Sequence, residues 1–395
     1  MKPGSTLLSL LIFAAAMHFL VDAVAGMLNP LWPKLDVHFG LAAWESAALF
    51  FLWQMTTSVS QFWFGLYGDR FPARWLIWVG PVSAIVCLGS IGLTHSPLAL
   101  AGLLSVAGLG IAAYHPEAAA LAGDCAPENR SRAMSIFTMG GFLGQAVGPI
   151  YSGNLVDALG LKGMSWNILI GLLAATLLLP LGRGLLGHSK THHRPRVSLQ
   201  DLVRGRGAVV LLVLVIGSLR IIAAGGVPVL MSYWLQSRGA SAASTGGVQS
   251  AFMLGIGLGG LACAAFVSHR HESLVLWLCP LVVSPVLLAI PSASGGLLVA
   301  AVCLTGILLG ISLPVLISYG QQLMPESQRI ASSITMGVSW GIGGGLVSII
   351  LAWCKATGRF EPAFVVLGLA TAISSVLCIW LPATAAVPEP AGVTA

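Results

Sequence analysis

The chain has 395 residues, of which 56% are apolar and only 8% charged, with a formal net charge of +6. A soluble globular domain carries about 25% charged residues, so most of this surface cannot face water, and the mean hydropathy of +0.90 agrees. The basic residues are scattered through short loops, with no basic helix and no interleaved aromatics, which excludes a nucleic-acid footprint.

Spans of roughly 20 apolar residues cross a hydrocarbon core of about 30 Å. In chain order the sequence predicts helices near 5–30, 44–66, 75–94, 97–122, 132–157 and 164–186. The first keeps His18 and Asp22 inside its apolar run and is followed by no small-residue cleavage site. It reads as a retained helix rather than a removed leader. A polar linker at 187–206 follows, with Lys190, Arg194, Arg196, Arg204, Arg206 and three histidines that read as solvated. Six more helices are expected near 207–235, 242–267, 272–292, 296–323, 329–354 and 361–381, then a flexible tail at 383–395. Glycine runs such as Gly255-x-Gly257-x-Gly259-Gly260 and Gly341-x-Gly343-Gly344-Gly345 lie within apolar spans and read as helix-packing surfaces, not phosphate loops.

The two parts echo one another. Thr138-Met139-Gly140 recurs as Thr335-Met336-Gly337, 197 residues later, each behind a Pro-Glu loop ending in arginine. Leu109-Gly110-Ile111 recurs as Leu309-Gly310-Ile311. The expected fold is therefore all-α: a polytopic membrane protein of twelve helices in two pseudo-symmetric six-helix bundles, 1–186 and 207–382. Paired membrane halves of this kind hold a site between them and rock about it, which points to a transporter. With both termini cytoplasmic, 13 of the Lys and Arg residues lie inside and five (Lys34, Lys162, Arg238, Lys355 and Arg359) outside, as the positive-inside rule prefers.

Among the seven cysteines there is no CxxC pair, and six lie in or beside apolar spans, so neither a disulfide framework nor a metal site is expected. No nucleotide-binding loop, catalytic triad or metal-ligand spacing occurs. An ATP-driven pump and an enzyme are disfavoured, and no cofactor is expected beyond a proton gradient.

Between helices 2 and 3 runs Gly65-x-x-Gly68-Asp69-Arg70-Phe71-Pro72-Ala73-Arg74. The Gly-x-x-x-Asp-Arg pattern followed by a basic residue, in this loop, resembles the major facilitator superfamily motif, although Pro72 and Ala73 depart from it. The resemblance implies a gate latch of Gly65, Asp69, Arg70 and Arg74, with Asp124 as an extra partner. Helix 1 reads His18-Phe19-x-x-Asp22, then Asn29-Pro30-Leu31-Trp32-Pro33. Helix 4 reads Tyr114-His115-Pro116-Glu117-Ala118, helix 5 carries Gly140-Gly141-x-x-Gly144, and helix 10 ends Gln321-x-x-Met324-Pro325. Together these resemble the fosmidomycin-resistance family of drug-efflux transporters. That resemblance implies proton-driven export of small, often anionic compounds, with helices 1, 4, 7 and 10 lining the cavity.

Ionisable groups inside a membrane are costly, so each is a functional candidate. His18 and Asp22 are four apart on one helix face and suit a proton site, or else bond helix backbones as a polar pair. Glu117 is a second candidate proton carrier, or a partner near the gate. Arg220, deep in helix 7, offers a planar fork for a carboxylate, phosphate or phosphonate, or pairs with Asp22 or Glu117. His115, Tyr114, Gln54, Gln145, Tyr233, Tyr319, Gln321 and Trp340 are candidate lining residues. The expected protein is a monomeric antiporter in a bacterial-type inner membrane, exchanging protons for a small anionic or amphipathic compound. Uptake of a metabolite or metal chelate, by the same residues, is the alternative within transporters; a non-transporting receptor is the alternative outside them.

Overall fold

Lipid offers no partners to backbone polar groups, so a greasy chain with no closed barrel must satisfy them within helices. The computed structural model describes residues 3–68, 71, 73–126, 130–183, 185, 205–324, 331 and 333–382, and among them there is no strand. The first half comprises α1 (Pro3–Gly26), α2 (Ala43–Gln54 continued by Ser60–Gly68), α3 (Leu76–Gly89), α4 (Pro97–Cys125), α5 (Arg130–Leu159) and α6 (Trp166–Leu177). The second comprises α7 (Gly207–Ser237), α8 (Ala242–Phe266), α9 (Glu272–Ala289), α10 (Gly295–Leu323), α11 (Ser339–Thr357) and α12 (Glu361–Leu377). Ten of the described helices are long and apolar enough to span a bilayer. The interrupted α2 and the shorter α6 complete the expected twelve. Large apolar side chains point outward, with Leu98 and Phe266 each 82% exposed, as a lipid-facing surface requires.

The helix ends depart from the sequence expectation where local chemistry intervenes. The first helix stops at Gly26, and the chain turns through Asn29–Leu31 into a short helix, Trp32–Phe39, closed by Gly40 in the left-handed region (φ 64°). The sixth ends at Leu177 rather than near 186, because Pro180 and Gly182 follow and cannot continue it well. Wide π turns at Met55–Val59 in α2 and Ser333–Val338 at the head of α11 were not legible from hydropathy. They face each other: Gly341 lies against Val59 and Met55, and Gly337 approaches the Ser58 carbonyl. The linker and tail expectations, and the loops holding Pro127 and Pro325, fall largely outside the described residues.

Within the first half, α1 packs chiefly on α5, and in the second α8 packs chiefly on α10. Both contacts are backbone against backbone. A side chain at Gly140, Gly144 or Gly148 would collide with the carbonyl oxygens of Ala15, Phe19 and Ala23. Gly255 and Gly259 lie in the same way against Cys303 and Ile307, so the glycine runs are packing surfaces. Replacing Gly144 with Leu is accordingly expected to separate α1 from α5; detergent-solubilised protein should lose its monodisperse elution peak, whereas Gly102→Leu, where a side chain meets open space, should not.

The halves meet along α5–α8 and α2–α11. The described chain begins, at Pro3, and ends, at Pro382, on one face of the bundle, here called the termini face; the α1–α2, α5–α6, α7–α8 and α11–α12 connections lie at the far face. Every hydrogen bond between the halves whose two partners are both described lies toward the far face.

Candidate functional site

Two polar centres occupy the first half, and a third holds the far face closed. In the first centre α1 presents His18 and Asp22 one turn apart, 7% and 5% exposed. Opposite them α4 presents the half-buried His115, and α5 presents Gln145. Asp22 is the hub. Its Oδ2 lies 3.4 Å from His18 Nε2 and accepts from Gln145 Nε2 at 3.0 Å, and its Oδ1 lies 3.2 Å from His115 Nε2. The remaining ring nitrogens are committed elsewhere. His18 Nδ1 donates to the Phe137 carbonyl at 2.9 Å, and His115 Nδ1 donates to the Ile111 carbonyl at 2.7 Å. A carbonyl oxygen only accepts, so both Nδ1 atoms carry hydrogen. Each Nε2 then faces the carboxylate either as a bare lone pair, which repels it, or with an added proton, which completes a charge-assisted bond. The His18 ring stacks on Phe137 with centroids 4.1 Å apart, which fixes its plane. Gly141 covers the pair: a Cβ there would lie 2.5 Å from His18 Nε2 and 2.8 Å from Asp22 Oδ2.

The second centre lies toward the termini face and takes Glu117 away from the first. The Glu117 carboxylate packs against Gly68 of α2. Arg74 donates through Nη1 to the Glu117 backbone carbonyl at 2.7 Å and through Nη2 to Asp124 Oδ2 at 2.7 Å. Arg74 is 6% exposed and the Asp124 side chain 33%, so this is a partly buried clamp between the loop after α2 and the end of α4. Asp69 and Arg70, the other members of the expected latch, lie outside the described residues. Gly65 faces Pro116.

Arg220 is in neither centre. It is 0% exposed within the second half, and neither Asp22 nor Glu117 is its partner. Its Nη1 donates to the Ser312 carbonyl at 3.5 Å, and its Nη2 donates to the Leu276 carbonyl and lies 3.2 Å from Cys378 Sγ. Its Nε has no partner, and among the described residues no carboxylate lies within ion-pair distance. The cause is legible: residue 280, four after Leu276, is a proline and has no N–H, so the Leu276 carbonyl is left open for the guanidinium. Against the expectation of a cargo-facing fork, Arg220 is here turned inward and ties α7 to α9, α10 and the segment just after α12.

The lining candidates divide similarly. The Tyr114 hydroxyl donates to the Ala14 carbonyl at 2.8 Å and Tyr319 donates to the Pro382 carbonyl at 2.7 Å, so both are buried in packing rather than turned to a cleft. Gln321 is half-buried near the end of α10. Gln54 lies between the halves, 8% exposed, against Gly344 of α11 and Gly225 of α7, with Trp340 beside Gly225.

The third centre contains residues that sequence reasoning missed. Lys355 of α11 binds Asp36 and Ser46 of the first half. Ser46 also donates to Asp36 Oδ1 at 2.5 Å, and the Lys355 ammonium sits 5.5 Å over the Tyr233 ring. Tyr233 thus belongs to the seal rather than to a central lining. Asp157 of α5 caps α8 across the divide, accepting from Ala242 N at 3.2 Å and Ala243 N at 2.7 Å. Ser232 donates to the Asn29 carbonyl at 2.6 Å and Gln236 to that of Pro30 at 2.8 Å. One signal was available: Pro33 lies four past Asn29 and leaves that carbonyl open.

This architecture has known counterparts. The chain superposes on a bacterial homologue of the human lysosomal transporter Spinster, in an inward-facing and unoccupied conformation, with a TM-score of 0.61 at 17% identity, covering 97% of this chain and 96% of that one. For a variant of the nucleoside transporter NupG the TM-score is 0.71 at 11% identity, covering 94% and 99%. By sequence it is 25% identical over 334 residues to the fosmidomycin resistance protein of Escherichia coli (strain K12), covering 83% of this chain and 82% of that protein. It is 26% identical over 355 residues to the MFS-type transporter YfnC of Bacillus subtilis (strain 168), covering 87% and 85%. The Major Facilitator Superfamily model matches residues 14–220. With twelve helices in two six-helix halves around an interface, the chain belongs to the Major Facilitator Superfamily of membrane transporters.

Proposed function

We propose that this transporter couples protons to the export of a small anionic or amphipathic compound by alternating access. The observation that carries the proposal is the buried His18–Asp22–His115 network, whose Nδ1 atoms are both committed to carbonyls, so that only protons on Nε2 complete its hydrogen bonds. Its neighbours on α5, Gln145 and Gly141, belong to the helix that meets the second half through α8, so a change of charge at Asp22 is felt where the halves must move. The Arg74–Asp124 clamp beside Glu117 serves as the latch on the termini face, with Asp69 and Arg70. Gln54 and Trp340, at the seam between the halves, contact the cargo.

The excess of Lys and Arg in the loops on the termini face supports cytoplasmic termini, in a bacterial-type inner membrane. The sealed far face is then the outer one, and the described state is closed to the outside. The relative named for fosmidomycin resistance supports a small drug-like cargo and the outward direction.

The test is flux in oriented vesicles under an imposed pH gradient, with phosphonates, carboxylates and lipophilic drugs as cargo. Export expects cargo to move against the proton flow, with substrate-dependent proton movement in the opposite sense. Co-movement of cargo and protons would establish uptake instead, and no substrate-dependent proton movement with any transported cargo would remove proton coupling.

A further inference from the structure

The network at Asp22 has the donor set and spacing of a metal site, although sequence spacing suggested none. His115 is 93 residues from Asp22 in the chain, so only the packing of α4 on α1 brings the donors together. We propose that His18 Nε2, His115 Nε2 and the Asp22 carboxylate bind one divalent transition-metal ion of the zinc class. The inference rests on the reading of this network as the site of proton exchange, since the ion would occupy the place of its protons.

Three observations converge. The three donor atoms lie within 4.8 Å of one another, in a buried place between α1, α4 and α5. His18 Nε2 lies 3.4 Å from Asp22 Oδ2 and His115 Nε2 3.2 Å from Asp22 Oδ1, so each imidazole has its own oxygen of the one carboxylate at ligand spacing. A tetrahedral zinc site with bonds of about 2.0–2.1 Å sets its donor atoms roughly 3.3–3.4 Å apart. Both histidines also donate Nδ1–H to a carbonyl, at 2.9 and 2.7 Å. That arrangement holds the Nε2 lone pairs in one tautomer and one direction, as the outer shell of a histidine metal site does. The charges agree too. Two imidazolium rings around one carboxylate carry a net +1, and so do two neutral imidazoles, one carboxylate and one divalent ion. The ion replaces two protons without adding charge to a low-dielectric interior, where extra charge is expensive. Gln145 sits on Asp22 Oδ2 and can turn its amide oxygen toward a fourth position, and Gly141 has no side chain to obstruct that place. A bound ion would hold the network in its cationic form and stop proton exchange.

The experiment uses the full-length, tag-free protein in detergent, with Zn2+ and Co2+ as probes. Wild type is compared with the His18→Gln/His115→Gln double variant and with Asp22→Asn, each first checked for monodisperse elution. His188, His192 and His193 of the linker are common to all and set the background. The expected result is one more ion per chain in wild type than in the double variant, a tenfold or greater loss of that affinity in Asp22→Asn, and visible absorption bands of four- or five-coordinate Co2+ in wild type. Equal stoichiometry in wild type and a folded double variant overturns the proposal. If the double variant does not fold, wild type without those Co2+ bands overturns it by itself. Proton-driven flux in metal-free buffer separates the two readings. Flux that depends on Asp22 without metal binding removes the metal site alone. Metal binding with flux indifferent to Asp22 removes the proton site alone.

Discussion

Asp22→Asn is expected to abolish proton-driven transport in vesicles while leaving the protein folded and still able to exchange cargo at equilibrium. The amide keeps the volume of the carboxylate, so the packing of α1 on α5 persists. What disappears is, among the described residues, the only carboxylate in contact with His18, His115 and Gln145. Removing one partner of a buried charge pair costs about 3 kcal/mol or more, which at 1.4 kcal/mol per tenfold is a roughly 100-fold loss in occupancy of the proton-loaded state. Equilibrium exchange of labelled cargo needs no net proton movement and should survive. That pattern distinguishes a coupling residue from a structural one, because a folding defect would remove both activities. Normal coupling in a folded Asp22→Asn protein would end the proton role of this network.

Lys355→Met is expected to unseat the far-face closure and shift the protein toward the opposite opening. The Lys355–Asp36 pair joins the two halves, with side chains 13% and 12% exposed. Exposed pairs are worth little and fully buried ones cost several kcal/mol when broken. For this nearly buried pair a loss of about 2 kcal/mol is expected, or a roughly 30-fold shift in the ratio of the two states. The readout is a cysteine at position 54, between the halves, in a background without native cysteines. An impermeant thiol reagent added from outside should label it at least several-fold faster when Lys355 is Met. Asp36→Asn should do the same, and the exchanged pair Asp36→Lys/Lys355→Asp should restore slow labelling. Unchanged labelling in both single variants would mean that the Asp157 cap on α8 and the carbonyl contacts of Ser232 and Gln236 hold the seal without the ion pair.

Much of the candidate site was visible before folding, though not its grouping. His18 and Asp22 declare themselves because four residues on a helix set two side chains on one face. Their third partner, His115, does not: in sequence it stands beside Glu117, and the two look like one motif. The structure separates them, since positions two apart on a helix point in different directions. His115 turns to α1, whereas Glu117 turns to α2 and the Arg74–Asp124 clamp. Arg220 shows the converse. Depth in an apolar span correctly marked it as costly, but depth carries no azimuth. A proline four residues past Leu276 on another helix supplied the acceptor that draws its guanidinium inward. The seal at Lys355 was illegible because its partners, Asp36 and Ser46, lie more than 300 residues away in the chain.

From the sequence alone came the membrane, the twelve spans and the two halves, with the sense of insertion an expectation from charge bias. Each of these follows from local quantities: apolar length set against bilayer thickness, a repeated loop, and counts of Lys and Arg. Tertiary structure alone decided which ionisable groups share a centre, which arginine serves packing, and which face is shut. Those depend on the rotation of each helix about its axis and on contacts between distant segments. Hydropathy is an average around the helix and does not contain that angle.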